Sequence, residues 1–292
     1  MAYKLYDFTQ DPKLDEQIRL ICDVLYNHRE IYTGQIGGAA ETSLSAFFKT
    51  REWHSAIFKG GAGGTSSSVN ITGDYAHCTS TITTLAFANT TWDTPNMYGT
   101  LQTNSTVLDA IGKLDVRPLW AAGAGFCEPV HSPYSLFGIK TAAAIANTLM
   151  YIGVCQGGTG TVTTANKDLP AAYASNFNFV GVRYDPAGGG TWDVIHRQGL
   201  GAATITSTTV TVNASTAYMI EVYTADAGVS WIVKINGTIV KTITTNIPLV
   251  SSTLSPGLIE RVMLVNTSAG ANRQIRVARI YGENGGDLTL SA

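Results

Sequence analysis

One short break constrains this chain more than any other stretch: Asn236-Gly237, set between two alternating apolar runs. Upstream, Trp231, Val233 and Ile235 alternate with Ile232, Lys234 and Asn236. That is the period-two pattern of a pleated strand. Downstream, Thr238–Ile243 is again rich in β-branched residues, which favour strands. A two-residue type I′ turn needs positive φ at both central positions, and Asn-Gly accepts that best. The spacing therefore predicts a tight antiparallel hairpin. Just before it, Thr216–Tyr223 places Tyr218, Ile220 and Val222 on one face and Met219, Glu221 and Tyr223 on the other.

From Val69 onward the same grammar repeats. Short β-branched or aromatic runs, among them Thr79–Ala88, Met97–Thr103, Val116–Ala121, Ser135–Lys140, Met150–Val154, Thr191–Arg197, Leu258–Asn266 and Gln274–Tyr281, are separated by Gly, Pro, Asn and Asp. Those residues mark turns. Many short strands with few helices imply a mainly β fold, a two-sheet antiparallel β-sandwich or jelly roll. The absence of strand–helix–strand alternation argues against a doubly wound or barrel enzyme fold. We expect the sandwich to occupy residues 60–283, followed by a polar tail, 284–292.

Residues 1–59 read differently. Asp11 is a good N-cap and Pro12 a good first helical residue. Leu14, Ile18, Ile21 and Leu25 then form one apolar stripe. Asp15-Glu16 and His28-Arg29 suit the two ends of a helix dipole. We expect an N-terminal arm with an amphipathic helix over about residues 12–27, used for anchoring or oligomerisation. Glu41 to Trp53 reads as irregular structure or a short helix. The Gly/Ser-rich run from Lys59 to Ser68 reads as the junction between arm and body.

Charged residues make up 14% of the 292, well under the usual roughly 25%. A sparsely charged surface suits contact with other protein chains. The formal net charge is −2 and the Lys and Arg residues are scattered, which argues against nucleic-acid binding. No run of about 18 apolar residues exists, so no spanning helix is expected. The opening Met1-Ala-Tyr-Lys-Leu-Tyr-Asp lacks an apolar h-region, so synthesis in a cytoplasm is expected. Cys22, Cys78, Cys127 and Cys155 show neither CxxC nor zinc spacing and read as buried thiols.

The sequence carries no catalytic signature. Glu128, Glu221, Glu260 and Glu283 are isolated, whereas a glycosidase needs two facing carboxylates. Gly157-Gly-Thr-Gly and Gly188-Gly-Gly have no following helix to make a phosphate cradle. We expect no enzyme, no cofactor and no bound metal. Asp185, Asp193 and His196 flank the glycine loop; the two aspartates would suit calcium at a sandwich rim, or else an ordinary turn and strand. Trp192 would stack on a sugar, or else fill a core or an interface.

The order of Phe179-Val-Gly-Val-Arg-Tyr-Asp, Thr191-Trp-Asp-Val-Ile, Thr216-Ala-Tyr-Met-Ile-Glu-Val, Trp231-Ile-Val-Lys-Ile-Asn-Gly-Thr-Ile-Val and Ala278-Arg-Ile-Tyr-Gly resembles the concanavalin/laminin-G-like jelly roll of phage virion proteins. The likeness covers about the last third of the chain. It implies a virion location and a non-enzymatic capsid decoration or cement protein. Its implied partners are copies of itself, as a trimer, and a major capsid protein. The alternative is a tail-fibre or receptor-binding adhesin that reads a host-surface glycan. A third reading is a free-standing jelly roll that binds or cleaves glycans. Fold alone does not choose among them.

Overall fold

The computed structural model describes residues 51–59, 68–73, 78–83, 99–103, 105–118, 127, 129, 132–156, 162–168, 178–199, 201–248 and 258–285. The chain divides into Met1–Thr50 and Arg51–Ala292, and every described residue belongs to the second unit. The stripe Leu14, Ile18, Ile21 and Leu25 lies outside the described residues. Among those described, the helical content is the 3-10 turn Thr164–Asn166 and Pro129, also in 3-10 conformation.

Among the described residues, fifteen strands follow one another: β1 (Arg51–Lys59), β2 (Ser68–Gly73), β3 (Cys78–Thr83), β4 (Gly99–Gln102), β5 (Ile111–Pro118), β6 (Pro133–Thr141), β7 (Thr148–Gln156), β8 (Phe179–Tyr184), β9 (Thr191–Arg197), β10 (Thr204–Thr211), β11 (Ala217–Tyr223), β12 (Trp231–Ile235), β13 (Thr238–Ile243), β14 (Leu258–Asn266) and β15 (Gln274–Gly285). They build two antiparallel sheets. The eight-stranded sheet runs β13-β12-β11-β6-β15-β1-β2, with β4 also on β15. The seven-stranded sheet runs β10-β9-β8-β7-β14-β5-β3. The fold is a β-sandwich of jelly-roll-like kind.

The Asn236-Gly237 hairpin forms as the sequence predicts. Ile235 pairs with Thr238 across the turn, and Asn236 and Gly237 have φ of 51° and 79°. Two boundaries differ from expectation. Arg51–Lys59, assigned to the arm, is strand β1, paired with β15 on one side and β2 on the other. The Gly/Ser-rich residues 60–67 thus join two partnered strands of one sheet instead of dividing arm from body. At the other end β15 continues to Gly285, past the expected limit at 283.

The inner faces interlock. Phe137 and Ile139 of β6, Ile220 and Val222 of β11, and Trp231 and Val233 of β12 meet Met150, Ile152 and Val154 of β7 and Val180 and Val182 of β8. Burying one such aliphatic side chain stabilises by roughly 1.5–3 kcal/mol. A second apolar cluster lies on the outer face of the seven-stranded sheet. It contains Leu149, Tyr151 and Cys155 of β7, Ile259, Met263 and Val265 of β14, and Val162 from the β7–β8 connection. Strands β7, β8 and β14 are therefore buried on both faces. That explains their near-continuous apolar runs, which break the alternation of a half-exposed strand.

Candidate functional site

The residues flagged beside the glycine loop come together, but as structural ion pairs. Arg183 on β8 and Asp193 on β9 face each other in register. Asp193 accepts from Arg183 Nη2 at 2.8 Å, Arg183 Nε at 3.3 Å and Ser207 Oγ at 2.8 Å. Arg183 Nη1 also pairs with Asp168. Asp185, two residues along from Arg183, accepts from Lys167 Nζ at 2.6 Å and from the Ala187 amide at 3.0 Å. Burial works against the Asp185 charge, yet Lys167, the Ala187 amide and Arg183 outweigh it and hold its carboxyl below the usual range.

Calcium takes six to eight oxygen ligands. Here the place beside the carboxylates is filled by a guanidinium and an ammonium. No group of three or more potential metal-binding side chains occurs among the described residues. Lys167 and Asp168 belong to the β7–β8 connection, which is further tied down where Thr164 donates its amide to Asp109 Oδ1 at 2.7 Å. Residues 162–168 are thus strapped to the outer face of the seven-stranded sheet by polar contacts, with Val162 pressed into the apolar cluster beneath.

Trp192 has no exposed surface. Its ring packs edge-on against Tyr184 and Tyr218, with centroids 6.2 and 5.5 Å away. A ring without an open face is no platform for a sugar, so the core alternative is the observed one. His196 is buried, and its Nδ1 lies 3.0 Å from the Asn246 carbonyl oxygen. Burial pulls its pKa down against that bond, leaving a neutral ring against Asn246, whose side chain accepts from the Gln198 amide and donates to the Ala202 carbonyl and Thr204 Oγ1.

Cys127, Ser135 and Glu260 form a second buried group. Ser135 Oγ donates to Glu260 Oε1 at 3.1 Å, and Cys127 Sγ lies 3.6 Å from the same oxygen. Thiol, hydroxyl and carboxylate side by side resemble a nucleophilic constellation, but all three are fully buried. Burial and the Glu260 charge push the Cys127 thiol well up. A nucleophile needs the thiolate, so this group is inert. Cys155 is also a free, buried thiol, pushed up to about 12.

The open chemistry lies elsewhere, on the outer face of the eight-stranded sheet. Strand β6 alternates buried and partly exposed residues along its length, turning Tyr134, Leu136 and Gly138 outward. Register sets Tyr134 beside Tyr223 and Leu136 beside Glu221 on β11, with Lys234 of β12 beyond Glu221. Tyr134 Oη donates to Glu221 Oε2 at 3.0 Å, and Lys234 Nζ approaches that oxygen at 3.9 Å. The same ammonium sits over the Tyr223 ring at 4.9 Å. Tyr281 completes the strip, its ring 6.4 Å from that of Tyr134. Burial, then the Glu221 charge, pushes the Tyr134 phenol up, so it stays a donor. The signal for this site was present in the alternation of Thr216–Tyr223. The sequence alone does not assemble it, because Tyr134, Tyr223 and Lys234 are 11 to 100 positions apart and only register joins them.

No family model matches the sequence, and no curated protein matches it. In backbone shape the chain is similar to a Shewanella oneidensis protein described as of unknown function. The TM-score is 0.54 at 15% identity, covering 87% of this chain and 98% of that one. A Trypanosoma rangeli sialidase aligns with a TM-score of 0.46 at 12% identity, over 93% of this chain and 37% of that one. The binding domain of botulinum neurotoxin serotype D gives 0.44 at 8%, over 84% and 50%. The chain thus spans half or less of those two proteins. The first likeness concerns the sandwich fold alone, and the other two are too distant to bear on this chain.

Proposed function

We propose that this chain is a non-enzymatic structural component of a phage-like particle, a capsid decoration protein whose N-terminal segment anchors it and whose sandwich is displayed. One observation supports the reading: the reactive groups that the sequence singles out in the body are consumed by the fold. Asp185 and Asp193 are paired with Lys167 and Arg183, Trp192 is core, and the Cys127 group is sealed. What remains for a role is surface, and that surface belongs to a chain with 14% charged residues.

A second reading, a receptor-binding adhesin of such a particle, is favoured by the open tyrosine–carboxylate face of the eight-stranded sheet. Both readings give the stripe Leu14, Ile18, Ile21 and Leu25 the task of attachment. A short amphipathic helix needs a partner to persist. Burying each Ile is worth roughly 1.5–3 kcal/mol, and about 1.4 kcal/mol is tenfold in affinity. Ile18→Asp with Ile21→Asp should therefore weaken self-association or particle attachment at least ~100-fold while leaving the β signal in circular dichroism unchanged. Light scattering and co-sedimentation with particles read this out. Unchanged attachment would remove the anchoring role, and loss of the β signal would assign the stripe to the body.

A further inference from the structure

We propose that the outer face of the eight-stranded sheet binds a neutral saccharide, with Tyr134 and Tyr223 as its aromatic floor and Glu221 as its hydroxyl acceptor. The inference goes beyond the particle role and uses neither the N-terminal segment nor a second chain.

The rings of Tyr134 and Tyr223 lie 5.7 Å apart and are inclined by 45°. That tilt keeps the two rings from stacking face to face. Both are partly exposed. Tyrosine combines a large apolar face with a polar tip, which suits a pyranose: its C–H groups lie on the ring and its hydroxyls meet the polar groups around it. Gly138 follows Leu136 on the outward side of β6, between Met219 and Arg279, and adds no side chain of its own to the surface beyond Leu136. Neighbouring strands are ~4.8 Å apart, so the β12–β11–β6 strip is ~10 Å wide, room for about two sugar rings.

Glu221 supplies the selectivity. Its side chain is only 10% exposed although it stands on an outer face. Tyr134 and Lys234 both address Oε2, and among the described residues Oε1 has no partner. A carboxylate is an acceptor only, and a largely buried one gains most from further donors. Vicinal hydroxyls of a neutral sugar provide them. An acidic sugar would set carboxylate against carboxylate, which is costly at close range. Lys234 is held over Tyr223 and at Glu221, so its charge is already balanced.

Affinity electrophoresis of the full chain tests this, in gels carrying dextran, galactomannan, xyloglucan, starch or the acidic polymer polygalacturonate. The expected result is retardation by at least one neutral polymer and none by polygalacturonate. Tyr223→Ala and Glu221→Gln should each weaken the retardation at least tenfold, with unchanged circular dichroism. Should Tyr223→Ala fail to fold, Glu221→Gln, which keeps the side-chain shape, decides alone. The proposal is overturned if none of the four neutral polymers retards the chain, if Glu221→Gln binds as tightly as the parent, or if polygalacturonate retards it most. It is equally overturned if light scattering shows that Glu221→Gln dissociates an oligomer, since the face would then be a protein interface.

Discussion

At the scale of single residues, glycines decide where the backbone is allowed to go. Gly153 on β7 and Gly181 on β8 sit side by side in register. A Cβ on Gly181 would lie 2.2 Å from the Ile152 carbonyl oxygen and 2.7 Å from Gly153 Cα. Both obstacles are backbone and cannot swing aside. Gly181→Ala should therefore destabilise the sandwich by about 1–3 kcal/mol, the usual range for overpacking, seen as a lower urea midpoint at unchanged slope. Gly237→Val should cost a similar amount, of order 1–3 kcal/mol, for a different reason. There is open space around Gly237, but its φ of +79° excludes a β-branched residue. The two glycines also mark what a sequence reveals. Gly237 is legible because its neighbour Asn236 completes a local turn signal. The Gly153–Gly181 pair is invisible, because its meaning rests on a register between residues 28 positions apart.

At the scale of elements, the strap formed by residues 162–168, between β7 and β8, is held mainly by ions. The sequence left Asp185 and Asp193 as an ordinary turn and strand, with calcium as the alternative, because it shows acids near a glycine loop. It does not show that Arg183 lies on the same face, two residues from Asp185 and directly across from Asp193. Arg183→Met would leave Asp193 buried without its cation, and breaking such a pair costs about 3–5 kcal/mol. Chelator, by contrast, should leave the melting temperature unchanged; a clear drop with EDTA would restore the calcium reading of Asp185 and Asp193. The pH dependence has a definite sign. Asp185 has a lowered folded pKa, so its stabilisation is fully present above the unfolded value, about 3.9, and is lost as pH falls through the folded one. His196 is also lowered, by burial first. Only the unfolded chain protonates it below about pH 6.5, so stability declines from there downward. Hydrogen exchange should show amides 164–168 losing protection in the acid window before those of β14, and Lys167→Met should lose them at neutral pH. Equal protection at pH 2 and 7 would contradict the ionic strap.

At the scale of the whole molecule, the alternation of apolar residues gave away the two-sheet sandwich, but the edges of the body were misplaced. Arg51–Lys59 contains Arg51, Glu52, His54 and Lys59, too polar to read as a strand beside a Gly/Ser-rich run. Its place is fixed by long-range pairing, from Arg51 with Gly285 to Ile57 with Arg279. Strand β15 is unusually long because it is shared. Its first part, Gln274–Val277, pairs with β4, and its later part, Arg279–Gly285, pairs with β1 on the same side. This arrangement makes two truncations diverge sharply. Removing residues 1–50 leaves every pairing between described strands in place, so the shortened chain should keep its β signal and a single cooperative unfolding transition. Removing residues 1–59 deletes β1. Half of β15 then loses a neighbour, and β2 loses the strand to which it is hydrogen-bonded. An exposed strand edge is also a template for pairing with other chains. The longer truncation should therefore show a lower melting temperature and concentration-dependent aggregation that the shorter one lacks. Chromatography with in-line light scattering, together with thermal melts of both proteins, makes the comparison. If the two behaved alike, β1 would be a dispensable edge and the body would begin, as its sequence first suggests, after residue 59.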